Sequence, residues 1–472
     1  MIQGTASGVG KSWVCAGLCR LYARRGLSVA PFKSWNMSNN AAPAEAPWGW
    51  GEIGRAQAVQ ARACGRTPHV DMNPVLVKPE HDGAQWIIGG RPGRPEDARE
   101  AVHAAWARLR ETAELVIVEG AGSPAEINLP TDLANMETAR LTDAAVWIVG
   151  DIERGGVFAS LLGTLEWLAP EDRARVTGLV INRFRGDPAV LASGIARLEA
   201  RGGVPVRGVL PWRADIAVED EDAVDLSSRG GAVDICVLRL PTVSNTTDLD
   251  GLPARWEQDP ARVGNPDLLV LPGSKDTLAD LAWLRARGLD RVVTAAAARG
   301  VPVLGLCGGY QLLGERLDDA RGLGLLPVRT QFAAEKRVTP VSTRTTGRWL
   351  LPAGLPVDGY EIHTGRTSPH EPLLDGDGAV VGLVAGTYVH GLFTNAPLRD
   401  ALIAALRVRR GLDPVATREG PGLEELADVM EGALGLTETS TSPTSRRSSG
   451  PRERPGARRP RSRRGRGRAG RR

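Results

Sequence analysis

The chain has 472 residues, 42% hydrophobic and 24% charged, with 57 Gly and 33 Pro, enough for two or three domains with separate cores. Its formal charge of +4 is a sum of opposites: residues 439–472 hold 13 Arg and one Glu, so the remainder is net −8 and the average implies no acidic partner. No apolar run approaches the ~18 residues of a membrane span, no signal-peptide pattern precedes the first loop, and five scattered cysteines (Cys15, Cys19, Cys64, Cys236, Cys307) point to a reducing cytoplasm.

In chain order, Met1-Ile2-Gln3 reads as a strand shorter than the usual ~5–6 residues, and we expect the natural start to lie upstream. Next comes Gly4-Thr5-Ala6-Ser7-Gly8-Val9-Gly10-Lys11-Ser12, which reads as a phosphate loop opening a helix. Gly8 and Gly10 let backbone N–H groups curl around phosphate oxygens. Lys11 would neutralise the β- and γ-phosphates and the Ser12 hydroxyl would ligate Mg²⁺. Thr5 stands where the strict pattern has Gly, so this is a variant loop. Cys15 and Cys19, four residues apart on the helix, are expected to be core packing.

Strand-like runs at Leu27–Phe32, Glu114–Val118, Ala144–Val149 and Gly178–Ile181 alternate with helical stretches, the rhythm of a parallel α/β sheet. Ligands in such sheets bind at the carboxyl ends of strands. Glu119 is therefore placed to reach the metal held by Ser12, and Asp151 repeats that position on the next strand. Asn182 is a candidate to read a base edge, although a cap or turn role suits Asp151 and Asn182 nearly as well.

The polar stretch Leu226–Gly231 reads as a linker, giving a first domain over 1–228 and a second over 234–412. The second restarts the rhythm with Asp234–Leu240, Asp267–Leu271 and Val301–Leu306. Cys307, in Gly305-Leu306-Cys307-Gly308-Gly309, sits on a strand–turn–helix elbow that exposes a nucleophile, and a helix N-terminus favours its thiolate. His390, closing an apolar strand, is the expected base, with His363 second. Backbone N–H groups at Gly273 and Gly308 could form an oxyanion hole. A last helical segment, Gly422–Leu434, is expected to pack on the second domain. From Thr437 the chain is too poor in apolar residues to fold, and we expect disorder. Only five of the 59 basic residues are Lys, which reads as codon bias rather than function.

The loop GTASGVGKS and the strand VIVEGAG resemble the dethiobiotin synthetase superfamily, whose members use ATP to activate a carboxylate. PFKSWNMSNN (31–40), GEIGRAQAVQA (51–61), HVDMNPVLVKP (69–79), VEGAGSPAEINL (118–129) and VGDIERGGVFAS (149–160) together resemble the cobyric acid synthase family. PGSKDT, GLCGGYQ, DGYEIHTGRT and GTYVHGLF resemble its fused class I glutamine amidotransferase domain. Trp35 and the insert AAPAEAPWGW (41–50) depart from the family pattern. The resemblance implies two doubly wound α/β domains, a P-loop NTPase-type sheet followed by a flavodoxin-like amidotransferase. It also implies ATP and Mg²⁺ as cofactors, glutamine as ammonia donor and a corrinoid substrate, adenosylcobyrinic acid a,c-diamide, amidated on four carboxylates. Lys33, Asn36, Asn39 and Asn128 become candidate substrate or nucleotide contacts. Leu392 replaces the Glu that orients the histidine in many class I relatives, leaving a Cys–His dyad or another orienting group such as Glu361. Cobyrinic acid a,c-diamide synthase and a partition-type ATPase gripping DNA through the Arg tail are the rival readings; neither membrane nor nucleic acid is an expected partner.

Overall fold

Short aliphatic runs, each released into a glycine-rich or polar turn, build two open sheets. The computed structural model describes residues 1–80, 83–128, 132–213, 215–216, 231–414 and 422–436. The expected linker at 226–230 and the tail 437–472 lie outside the described residues. Met1–Leu436 form one compact unit.

In the first half, Val29–Phe32, Leu115–Val118, Ile2–Gly4, Val146–Asp151, Val176–Phe184 and Val206–Pro211 lie side by side in that order, all parallel. A parallel bridge between Ile2 and Glu119 joins the second of these strands to the third. The short N-terminal strand is thus central, and Ile2, Gln3 and Gly4 are all buried. Its position delivers the phosphate loop between the carboxyl ends of Leu115–Val118 and Val146–Asp151, the place where such sheets bind ligands. The loop opens the helix Lys11–Arg24, on which Cys15 and Cys19 are fully buried.

In the second half, Ala254–Glu257, Ile235–Leu238, Leu268–Leu271, Val303–Leu306 and Val384–Thr387 run parallel, with Ala379–Val381 antiparallel at the edge. Alternate residues feed opposite cores: Val237, Val270 and Leu304 enter one cluster, while Cys236, Leu269 and Val303 enter the other. Continuous apolar strands are required here because both faces of the sheet are covered.

Antiparallel hairpins depart from the parallel rhythm, one of them Val75–Glu80 with Gly83–Ile88. Arg329–Thr346 and Ala353–Thr367 form a long antiparallel hairpin, and the unusual insert supplies most of another, Ala41–Ala46 with Gly49–Gly54. These three hairpins meet where the halves meet. Ala41, Leu76 and Ile87 share a small core with Tyr360 and Ile362, and Lys78 and Lys336 both pair with the buried Glu52.

The last helix, Leu423–Ala433, corrects an expectation. It packs on the phosphate-loop helix of the first half, where Leu426, Ala427 and Met430 join Cys15, Leu18 and Leu21 in one core. Gly17 permits the approach, since a Cβ there would stand 2.6 Å from Met430 Cγ. Arg20, Arg24 and Arg25 pair with Glu424, Asp428 and Glu431 along the seam, but exposed pairs contribute little. The apolar stripe is the reason for this docking, and it faces the first half. Met430→Ala should accordingly destabilise the protein by about 2–5 kcal/mol, read as a lower urea midpoint at unchanged m-value.

Candidate active sites

The first site is organised around a carboxylate. Gly8 and Gly10 adopt φ of 72° and 95°, a left-handed region open to glycine, and a side chain on Gly10 would strike the Asn182 amide. Lys11 Nζ donates to the Ala6 carbonyl at 3.0 Å, folding across its own loop. Glu119 is buried at the strand end and is held on all sides. Ser12 Oγ donates to its Oε1 at 2.9 Å and Lys33 Nζ at 2.8 Å. Gln60 and Gln57, one helical turn apart on Arg55–Ala63, donate to its Oε2. Asn36 Nδ2 in turn donates to Gln57 Oε1 at 3.1 Å.

Ser12, Glu119, Lys33 and Asn36 are therefore brought together. Other expected residues are placed differently. Asp151 accepts from Arg183 Nη1 at 2.9 Å and from the Glu153 N–H at 2.8 Å, so an ion pair and a turn cap occupy it instead of the Ser12 cluster. Asn182 Nδ2 donates to the Val9 carbonyl at 2.8 Å; it braces the phosphate loop where base reading was expected. Asn128 is exposed on a turn, and Asn39 lines the second site. The Ser12 hydroxyl and Glu119 carboxylate are hard oxygen donors at the mouth of a phosphate loop, the set a Mg²⁺ ion shares with phosphate.

The second site is built on the elbow. Cys307 follows the strand Val303–Leu306, precedes the helix Gly308–Leu313 and holds φ 49°, ψ −104°, a strained conformation for a non-glycine residue. The elbow needs small neighbours: a Cβ on Gly309 would overlap the Leu271 carbonyl, and one on Gly308 would press on Ser274. Gly273, on the adjoining turn, lies between Ser244 and the His390 ring edge. His390 is buried and feels the charge of Cys307, whose Sγ lies 3.8 Å from the Ile362 carbonyl. Burial would lower its pKa, but the Asp248 carboxylate and Cys307 outweigh it and raise it to about 10.

Asp248 is the residue that sequence reasoning missed. Its Oδ2 lies 2.6 Å from His390 Nδ1, and its Oδ1 accepts the Gly391 N–H at 2.9 Å. Glu361, the expected candidate, pairs instead with Arg337 and lies 3.4 Å from His363 Nε2. His363 stacks on Tyr388 at 3.8 Å between ring centroids, and Nδ1 faces the Gly365 carbonyl at 2.7 Å. Asp248 had a faint signal, an acidic residue within the family loop SNTTDLDGL (244–252), but 142 residues separate it from His390.

A cavity of about 340 Å³ opens at Cys307, lined also by Gln311, His363, Asn39, Lys78, Lys275 and Lys336. That lies at the small end of ligand pockets, room for an amino acid rather than a corrinoid. All five lysines of the chain are now accounted for. Lys11 and Lys33 lie in the first site, and the other three line this cavity. Burial and the neighbouring Lys78 push Lys275 down to about 7, although Glu80 opposes them.

Comparison with known proteins fits this pair of sites. A CobQ/CobB/MinD/ParA nucleotide binding domain matches residues 1–224, and a CobB/CobQ-like glutamine amidotransferase domain matches 234–398. A cobyric acid synthase of Desulforudis audaxviator is 48% identical over 92% of this chain and 97% of its own length. The chain belongs to the cobyric acid synthase family. Cobyric acid synthases of Sorangium cellulosum and Salmonella agona are each 45% identical, over 92% and 88% of the chain and 96% and 91% of theirs. As a cobyric acid synthase family member, the protein is a glutamine-dependent amidoligase of cobalamin biosynthesis. The first-half family model extends to partition-type ATPases, so the second half and the full-length relatives decide between those readings. Among the described residues no helix is long and apolar enough to cross a membrane.

Because Lys275 loses its charge near neutrality, it should be the lysine acylated fastest at pH 7. Peptide mapping after brief acetic anhydride treatment should give Lys275 a reaction midpoint near pH 7, against the ~10.4 of an ordinary lysine.

Proposed function

We propose that the two sites divide one amidation between them, activation over residues 1–228 and ammonia release over 234–412. The overall reaction is ATP- and glutamine-dependent conversion of adenosylcobyrinic acid a,c-diamide to adenosylcobyric acid, by amidation of the b, d, e and g carboxylates. The observation that carries the division is the pairing of a phosphate loop on a buried carboxylate with a Cys–His–Asp array on an elbow.

A carboxylate resists ammonia because oxide is a poor leaving group. In the first site a substrate carboxylate oxygen attacks the γ-phosphorus of ATP, the bond to the β-phosphate oxygen breaks, and an acyl phosphate and ADP result. The loop glycines Gly8 and Gly10 and the Lys11 ammonium hold the phosphates, while Lys33 and the glutamines fix Glu119. Mg²⁺, held by Ser12 and Glu119, would supply charge neutralisation between β- and γ-phosphates. Asn36 supports that cluster through Gln57. Ammonia then attacks the acyl carbon and phosphate leaves.

In the second site the Cys307 thiolate attacks the glutamine amide carbon, and Gly273 and Gly308 N–H groups steady the oxyanion. His390 gives its proton to the departing nitrogen, so neutral ammonia leaves a thioester. Neutral His390 then takes a proton from the water that attacks the thioester, the Cys307 thiolate leaves, and glutamate departs with the starting ion pair restored. Lys275 and Asn39 face the glutamine in the cavity. The free cysteines support a cytoplasmic setting, and the partner is a small-molecule corrinoid rather than nucleic acid.

Cys307→Ala should abolish glutamine-driven amidation and leave turnover with ammonium salts; loss of both would overturn the division. Asp248→Asn should lower glutaminase kcat by about 100-fold or more. The His390 proton is needed for ammonia release, so the wild-type glutaminase rate should fall as pH rises through about 10. Removing the Asp248 charge lowers that pKa, and the alkaline limb of kcat/KM should move to lower pH.

A further inference from the structure

His390 belongs to the second half, yet the groups that hold it are themselves held by the first. Asn40 Oδ1 accepts the Thr246 N–H at 2.9 Å, Asn245 Oδ1 accepts the Ala41 N–H at 3.1 Å, and the Asn245 N–H points to the Asn39 carbonyl at 3.4 Å. These bonds pin Asn245, a non-glycine residue at φ 51°, which opens the short turn Thr246–Leu249 carrying Asp248. Asn245 Nδ2 also stands 3.3 Å from the His390 ring nitrogens.

An aromatic ring braces His390 too. Tyr360 stacks on His390 with centroids 5.2 Å apart and planes 22° apart. The guanidinium of Arg55, from the first half, lies 4.9 Å over the Tyr360 ring. Arg55 is buried, so this cation–π contact is desolvated and correspondingly stronger. Its backbone N–H donates to the Asn40 carbonyl at 3.0 Å, tying the two braces together. Arg55 also begins the helix whose Gln57 and Gln60 hold Glu119 in the first site.

We propose that the glutaminase site is composite: Asn40 and Arg55 of the first half are positioning residues for His390, acting through Asp248 and Tyr360. Glutamine hydrolysis then depends on the helix that also sets Glu119, and the two chemistries share a mechanical part. The inference rests on reading Cys307 and His390 as the glutaminase pair.

The experiment uses the full chain with Asn40→Ala, Arg55→Met and Arg55→Lys, and Cys307→Ala as control. Glutaminase kcat and the ratio of glutamine-driven to ammonia-driven amidation should fall about 10- to 100-fold in Asn40→Ala and Arg55→Met. KM for glutamine should change little, and the alkaline limb of the glutaminase pH profile should move to lower pH. Arg55→Lys, which keeps a cation on the ring, should recover part of the loss. An unchanged ratio overturns the proposal, as does a parallel loss of both activities with an unmoved pH profile. Glutamine-driven turnover in Cys307→Ala would instead overturn the underlying reading of the site.

Discussion

A carboxylate sealed from water must have its charge answered by protein groups, and Glu119 draws those groups from separate segments of the first half. The ammonium of Lys33 offsets its charge, while Ser12, Gln57 and Gln60 donate to its oxygens. Without them a buried carboxylate would cost several kcal/mol. Meeting that demand fixes the phosphate-loop helix, the strand end before Lys33 and the helix Arg55–Ala63 relative to one another. The nucleotide site is what remains once Glu119 is satisfied.

The same economy runs into the second site. The strain at Cys307 is stored on an elbow whose glycines admit neighbouring backbone where any Cβ would collide. His390 is gripped by Asp248 on one side and the Tyr360 ring on another. The halves adhere through a small apolar core and the Lys78–Glu52–Lys336 cluster, where the two ammonium groups hold the buried Glu52 down at about 2 against the opposing effect of burial. Polar, fully answered contacts of this kind specify a register as well as joining surfaces.

What was legible in the sequence was local. The phosphate loop, the elbow around Cys307 and the strand ending at Glu119 each declare themselves within about ten consecutive residues, because turn chemistry and strand pattern act at short range. Asp248 and Arg55 do not, since their meaning arises only when chain 142 residues or further away folds against them. The long hairpin Arg329–Thr346 with Ala353–Thr367 escaped the α/β reading because its first strand is largely polar and scarcely buried, so it carries no apolar run. The Gly422–Leu434 segment reads as a helix, but its apolar stripe does not say which surface it will cover. The scarcity of lysine does not set where the five lie. At Lys11 and Lys33 a compact ammonium is buried where a planar guanidinium would need a different set of acceptors.

The docking of Leu423–Ala433 on the phosphate-loop helix changes what kind of object the second half is. The chain leaves the first half through residues 217–230 and returns through 415–421, so residues 231–414 form an insertion within the first domain, not an appendage to its end. The glutaminase half is therefore covalently joined to the synthetase half at both of its ends. Cutting either junction leaves the halves linked through the other, at high effective concentration.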